Sequence, residues 1–180
     1  MKKNVIVFGC IAGLIVATIM AVSMAIYSYN GHNFDYGMLV GYASMLLAFT
    51  FVFVGIKNYR DKYNNGLISF GQAFKTGFFI SLIASTMYVI TWTIEYYYFI
   101  PDFMEQYTQH MLIKAKESGL SEAKMAEKAA EMAQYIEMYK NPLWVILFTY
   151  MEILPVGLLV TLISALILKR KNKPEAGIAA

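Results

Sequence analysis

At 180 residues the chain is long enough for one domain, and its composition is too apolar for an ordinary soluble protein. Hydrophobic residues make up 58% of it and charged residues only 15%, whereas soluble domains average about 25% charged residues. The formal net charge is +3, but the basic residues crowd into short segments. That distribution is typical of membrane topology and not of a nucleic-acid-binding surface. A single cysteine, Cys10, excludes an internal disulfide.

The first apolar block runs from residue 5 to about 27, which is the length that a membrane-spanning helix requires. Small residues recur in this block every four positions, among them Gly9, Gly13 and Ala17. They fall on one ridge of the helix, where they allow a neighbouring helix to approach closely. A cleavable signal peptide is the alternative, but its apolar region usually covers only about 7–15 residues. We therefore predict a retained first span.

The second apolar block covers about residues 36–56 and repeats the close-packing spacing with Gly37 and Gly41. A basic segment follows and ends at the turn signal Asn64-Asn65-Gly66. We predict that this segment is a loop on the cytoplasmic face, where basic residues determine topology. Its basic residues are Lys57, Arg60 and Lys62, which Lys75 joins from the start of the third block.

The third span is predicted over about residues 76–100, after an amphipathic lead-in at 69–75. Gly77 begins its ridge of small residues, and Pro101 ends it because proline disfavours helix at the residue before it. The polar segment 102–141 follows. Its apolar stripes at helical spacing predict a helix–break–helix segment on the extracytoplasmic side. This segment either lies against the membrane or extends the third and fourth spans.

The fourth span is predicted over about residues 143–168, with Gly157 on its small-residue ridge and a basic tail after it. If the N-terminus is cytoplasmic, most of the basic residues fall on the cytoplasmic side, as the positive-inside rule requires. The sequence therefore predicts an all-α integral membrane protein, a four-helix bundle in the lipid bilayer with its N-terminus and C-terminus in the cytoplasm.

Two carboxylates lie inside predicted spans, where a charge costs about 2.5–3.5 kcal/mol or more. Glu95 is near the outer end of the third span, so its side chain either reaches the membrane interface or takes part in a proton or ion site. Glu152 lies about 15 Å along the fourth span, too deep to reach the headgroups. It is therefore either protonated or in contact with a polar group or water.

A proline follows Glu152 by three positions. Pro155 cannot donate a hydrogen bond to the carbonyl of Met151, so we predict a helix kink and a free acceptor beside the carboxylate. These three groups could form a proton or cation site, or equally a structural polar contact between helices. No nucleophile–base pair, nucleotide-binding loop or metal motif occurs, so we expect no enzyme activity, no cofactor and no metal.

Two stretches, FVGIKNYRD at residues 53–61 and NGLISFGQAFKTG at 65–77, resemble the hallmark of a bacterial membrane family. That family is domain-of-unknown-function family 4199. The resemblance extends to YME at 150–152 and PVG at 155–157. It implies a multi-span protein of the bacterial inner membrane, and it implies no reaction, substrate or cofactor.

Two functions remain open from the sequence. The small-residue ridges favour a structural or accessory subunit that acts through helix packing, as a homo-oligomer or with a membrane-protein partner. The alternative is a small proton- or ion-coupled transporter or channel that uses Glu152.

Overall fold

The computed structural model describes residues 1–30 and 34–170, and every regular element within these ranges is an α-helix. The helices are α1 (Lys2–Asn30), α2 (Phe34–Tyr63), α3 (Phe70–Tyr98), α4 (Phe103–Glu117), α5 (Glu122–Tyr139) and α6 (Pro142–Leu168). Four of them, α1, α2, α3 and α6, are long and apolar enough to cross a membrane. The predictions of an all-α fold and of four helices of membrane-spanning length are confirmed. The predicted basic tail is described only as far as Arg170, and the rest of it lies outside the described residues.

The four long helices pack as a bundle in which α3 contacts both α1 and α6, and α2 also contacts both of them. Two hydrogen-bonded contacts tie the helices together at one end. Asn4 Nδ2 donates to the carbonyl of Gly55 at 2.9 Å, and Ile68 N donates to the carbonyl of Arg170 at 2.9 Å. We call this the basic end, after Lys2, Lys3, Lys57, Arg60, Lys62, Lys169 and Arg170.

The segment predicted as a basic loop is helical in the structure. Lys57, Arg60 and Lys62 lie in the last two turns of α2. Basic side chains do not break a helix, and near its carboxyl end they interact favourably with the helix dipole. The chain turns later, at Asn65 and Gly66, whose φ angles are 51° and 75°. The loop prediction was therefore wrong, because charge in this position is compatible with helix.

The third long helix starts before residue 76, the predicted start of its span. Ser69 is the N-cap of α3, and its hydroxyl accepts a hydrogen bond from Gln72 N at 3.3 Å. The Gln72 side-chain oxygen accepts one from Ser69 N at 3.2 Å. This reciprocal capping box fixes the start of the helix. The amphipathic lead-in, which includes Lys75, is consequently the first part of α3.

Two predicted packing glycines bring α1 against α3. A Cβ atom added to Gly9 would lie 2.8 Å from Ile83 Cβ, and one added to Gly13 would overlap the Met87 side chain. A separation of 2.8 Å is too short for two carbon atoms that are not bonded to each other. Close contact here thus depends on the absence of a side chain. Ala17, the next residue of the ridge, is half-buried.

Gly77 and Gly157 have the same role between α3 and α6. A Cβ atom at Gly77 would lie 2.7 Å from Thr161 Cγ2, and one at Gly157 would lie 3.0 Å from Ser81 Cβ. The close approach permits buried hydrogen bonds, because Ser81 Oγ lies 3.2 Å from the carbonyl oxygen of Gly157 and 3.0 Å from Thr161 Oγ1. Polar contacts of this kind hold apolar helices in one register.

Gly37 and Gly41 differ from the other glycines of the predicted packing set. A Cβ atom added at either position would meet nothing within 4 Å among the described residues. They therefore do not bring α2 against another helix of this chain. The spacing of small residues is the same on every long helix, but only the fold decides which ridges face a neighbour.

The helices α4 and α5 form a hairpin at the opposite end of the bundle, which we call the hairpin end. Residues 118–121 join them, and Gly119 takes a positive φ of 74°. After the hairpin, Asn141 caps α6 by accepting a hydrogen bond from Leu143 N at 3.0 Å. The helix α6 then continues through Pro155 to its last residue without interruption.

Candidate functional site

A cavity of about 520 Å³ lies in the half of the bundle nearer the hairpin end. All six helices contribute to its wall. The four long helices and the two helices of the α4–α5 hairpin share this wall. The volume is within the range of roughly 300–1,000 Å³ that is usual for small-molecule sites.

The wall of the cavity is formed mainly by methionine and aromatic side chains. The methionines are Met20, Met24, Met38, Met104, Met111 and Met132. The aromatic residues are Phe34, Tyr42, Tyr88, Trp92, Phe103, Tyr107, Tyr135, Tyr139 and Phe148. Methionine adapts to irregular shapes, and aromatic rings offer large flat contacts, so this wall suits an apolar or amphiphilic ligand. Gly37 also lines the cavity, where the missing side chain leaves room.

Three charged side chains line the cavity, and two of them pair with each other. Lys128 Nζ lies 2.8 Å from Glu131 Oε2, one turn along α5. No described basic side chain lies within salt-bridge distance of the third residue, Glu152. Glu152 is an exposed residue and it lines the cavity. It is therefore the charge of the wall that a bound ligand could compensate.

The residues next to Glu152 on α6 contact the rest of the bundle and the cavity. Tyr150 OH and Thr86 Oγ1 lie 2.8 Å apart and connect α6 to α3. Ile153 is fully buried in the bundle, and Thr149 lines the cavity one turn before Glu152. Tyr150 and Thr86 therefore provide a polar connection between α6 and α3, and the structural and functional interpretations of Glu152 both stay predictions.

The second predicted carboxylate, Glu95, is not part of the cavity wall. Its exposed fraction is 7%, and its Oε2 atom has no hydrogen-bond partner among the described residues. Protein atoms therefore cover this side chain, and both interpretations of Glu95, at the membrane interface or in a proton or ion site, stay predictions. Tyr88, two turns before Glu95 on α3, does line the cavity. The structure thus places one carboxylate at the wall and one behind it.

Aromatic contacts attach the hairpin to the bundle over the cavity. The ring of Phe34 on α2 packs edge-on against Phe103 at 5.8 Å and against Tyr107 at 5.6 Å between centroids. On the other side, Phe148 of α6 stacks on Tyr139 at 5.8 Å. Tyr97 OH donates a hydrogen bond to the carbonyl of Tyr139 at 3.1 Å. The hairpin is therefore anchored to α2, α3 and α6.

Tyr139 remains an uncharged phenol at the edge of the cavity. Burial raises the pKa of Tyr139 to about 12, and the negative charge of Glu152 acts in the same direction. The residue therefore contributes an aromatic face and a hydroxyl group at physiological pH, and no charge.

The sequence identified Glu152 but did not identify the cavity around it. The signal for the hairpin side of the wall was present in two apolar stripes, one with Phe103, Tyr107 and Met111 on α4 and one with Met132 on α5. Such a stripe predicts only that a helix face is covered. No three His, Cys, Asp or Glu side chains within residues 1–30 and 34–170 come together in a way that could hold a metal ion.

Comparison with known proteins bears on the family and leaves the activity open. No curated protein and no solved structure matched the chain. One family model matched residues 7–170, which is nearly the whole chain, and its description is "Protein of unknown function (DUF4199)". The resemblance seen in the basic segment and around Glu152 is thereby confirmed, and the chain belongs to the DUF4199 family.

Proposed function

We propose that the chain is an integral protein of the bacterial inner membrane, with α1, α2, α3 and α6 as its spans and the basic end in the cytoplasm. The charge distribution supports this orientation, because basic residues near the ends of spans are retained on the cytoplasmic side. The hairpin end, where acidic and basic residues alternate on α4 and α5, is then extracytoplasmic.

Cysteine labelling tests this orientation. Cys10→Ala removes the one native thiol, and Lys62→Cys or Lys124→Cys then adds a thiol at an exposed position on α2 or α5. A membrane-impermeant maleimide should label Lys124→Cys in cells whose outer membrane alone is permeabilised. Lys62→Cys should react only after the inner membrane is opened. The reverse pattern would show that the protein is inserted the other way round.

We propose that the protein acts without catalysis, by binding a small amphiphilic molecule in the cavity and moving it within or across the membrane. The observation that carries the proposal is a cavity of about 520 Å³ with the unpaired carboxylate of Glu152 in its wall. An ionisable group at this depth of a membrane helix is costly to insert, and such groups typically mark the pathway of a substrate, ion or proton.

The packing glycines give less support to an accessory subunit than their spacing suggests. Gly9, Gly13, Gly77 and Gly157 all meet neighbours inside the chain. These ridges are therefore explained by the bundle itself, and they are no longer an argument for a second copy or another membrane protein. The open cavity instead favours the transport alternative.

Saturable binding of a neutral probe tests the proposed function. The protein carries two tryptophans, so Trp144→Phe leaves Trp92, which lines the cavity, as the sole donor of excitation energy. In phosphatidylcholine proteoliposomes, N-phenyl-1-naphthylamine should quench Trp92 and saturate near one probe per protein. Empty vesicles measure the partition of the probe into lipid. A response that rises linearly with the probe, and in proportion to that partition, would overturn the proposal.

A further inference from the structure

We propose that the ligand of the cavity is a lipophilic organic monocation, with its charge beside Glu152 and its apolar groups against the aromatic wall. This inference rests on the proposed function and specifies its substrate class. It depends on three properties of the wall: its net charge, its aromatic rings, and its small number of carboxylate ligands.

The net charge of the wall selects the sign of the ligand. Lys128 and Glu131 neutralise each other at 2.8 Å. Glu152 is left as the carboxyl group without an ion-pair partner among the described lining residues. A cation would neutralise it in a surrounding of low dielectric constant, where the attraction between opposite charges is strong. An anion would be repelled, and a neutral ligand would leave the carboxylate without a partner.

Aromatic rings that share the cavity wall with the carboxylate favour a cation of organic type. Tyr88 and Trp92 of α3 are both buried, with rings that contribute to the wall, and Tyr42 of α2 faces the same space. The faces of aromatic rings carry partial negative charge and attract cations, above all those that have already lost their water. Methionine sulfurs in the wall are polarisable and add favourable contacts with apolar groups.

An inorganic cation fits the same wall poorly. Ions such as Mg²⁺ and Ca²⁺ require six or more oxygen ligands, most of them from carboxylates, carbonyls or water. Of the two carboxylates in the wall, Glu131 is paired with Lys128, and the remaining side-chain oxygens are the hydroxyls of Thr149 and five tyrosines. A wall made mainly of carbon and sulfur instead matches a large cation that carries its own apolar shell.

Two ions of similar shape and opposite charge provide the test. Tetraphenylphosphonium and tetraphenylborate are titrated into phosphatidylcholine proteoliposomes, and their free concentrations are read with ion-selective electrodes. Uptake by empty vesicles is subtracted for each ion. We expect saturable binding of the phosphonium near one per protein, and binding of the borate that is at least about tenfold weaker.

Variants of Glu152 connect this selectivity to the carboxylate. Glu152→Gln should weaken phosphonium binding by about tenfold or more, whereas Glu152→Asp, which keeps the charge, should retain most of it. Glu105→Gln is the matched control, because Glu105 is exposed on α4 and does not line the cavity. Its phosphonium binding should be unchanged, and size-exclusion profiles of all three variants verify the fold.

Equal binding of the two ions, or unchanged phosphonium binding in Glu152→Gln, would overturn the cation assignment. The neutral probe distinguishes that failure from a failure of the proposed function. If N-phenyl-1-naphthylamine still binds saturably, the cavity is a ligand site for another chemical class. If neither ion nor the neutral probe binds saturably, the proposed function fails together with the inference.

Discussion

Gly9→Val should lower the free energy of unfolding by about 1–3 kcal/mol, the usual cost of forcing extra carbon atoms into a packed interior. The added Cβ would lie 2.8 Å from Ile83 Cβ. Ile83 Cβ is attached directly to the backbone of α3, so no side-chain rotation can remove the overlap. The helices α1 and α3 would have to move apart, and the bundle would lose contact along its length.

Gly41→Val is the control for this prediction. Its new side chain meets open space, because an added Cβ has no neighbour within 4 Å among the described residues. Loss of glycine flexibility even favours helix slightly at such a position. Stability is measured by thermal unfolding of the two variants in the same detergent, followed by far-ultraviolet circular dichroism. If Gly9→Val and Gly41→Val unfold at the same temperature, the close contact of α1 with α3 is wrong.

The helical content and the four apolar helices were predictable from sequence because they depend on local properties. The length of an apolar block and its end signals belong to one segment of chain, as Pro101 and Asn141-Pro142 illustrate. The error at Lys57, Arg60 and Lys62 has a local cause as well. Charge was taken to mark a loop, although the residues that turn the chain are Asn65 and Gly66.

The site was predictable only in part, for a physical reason. Glu152 attracts attention by itself, because a carboxylate in an apolar helix is costly wherever its neighbours lie. The cavity is different, since it depends on where α4 and α5 fold back over the long helices. The surroundings of a glycine also depend on the fold. Gly37 and Gly77 both belong to a series of small residues, but Gly37 borders the cavity whereas Gly77 packs against Thr161.

Gly37→Phe should weaken binding of N-phenyl-1-naphthylamine by about tenfold or more, with little change in stability. Gly37 lines the cavity, and the space beyond its missing side chain is open. A phenyl ring there would occupy the volume that a ligand needs, while its own burial against Met38 and the aromatic wall would offset the cost of ordering it. Binding is measured in proteoliposomes by energy transfer from Trp92 in the Trp144→Phe background.

Gly41→Phe separates an occupied cavity from a general effect of a large side chain on α2. Gly41 is one turn further along the helix, has equally open surroundings, and does not line the cavity. Its variant should bind the probe as the parent protein does. Equal loss in both variants would mean that α2 responds as a whole and that the probe is not bound beside Gly37. If only Gly37→Phe loses binding, the ligand lies between α2 and the Glu152 face of α6, because Gly37 and Glu152 line the same cavity.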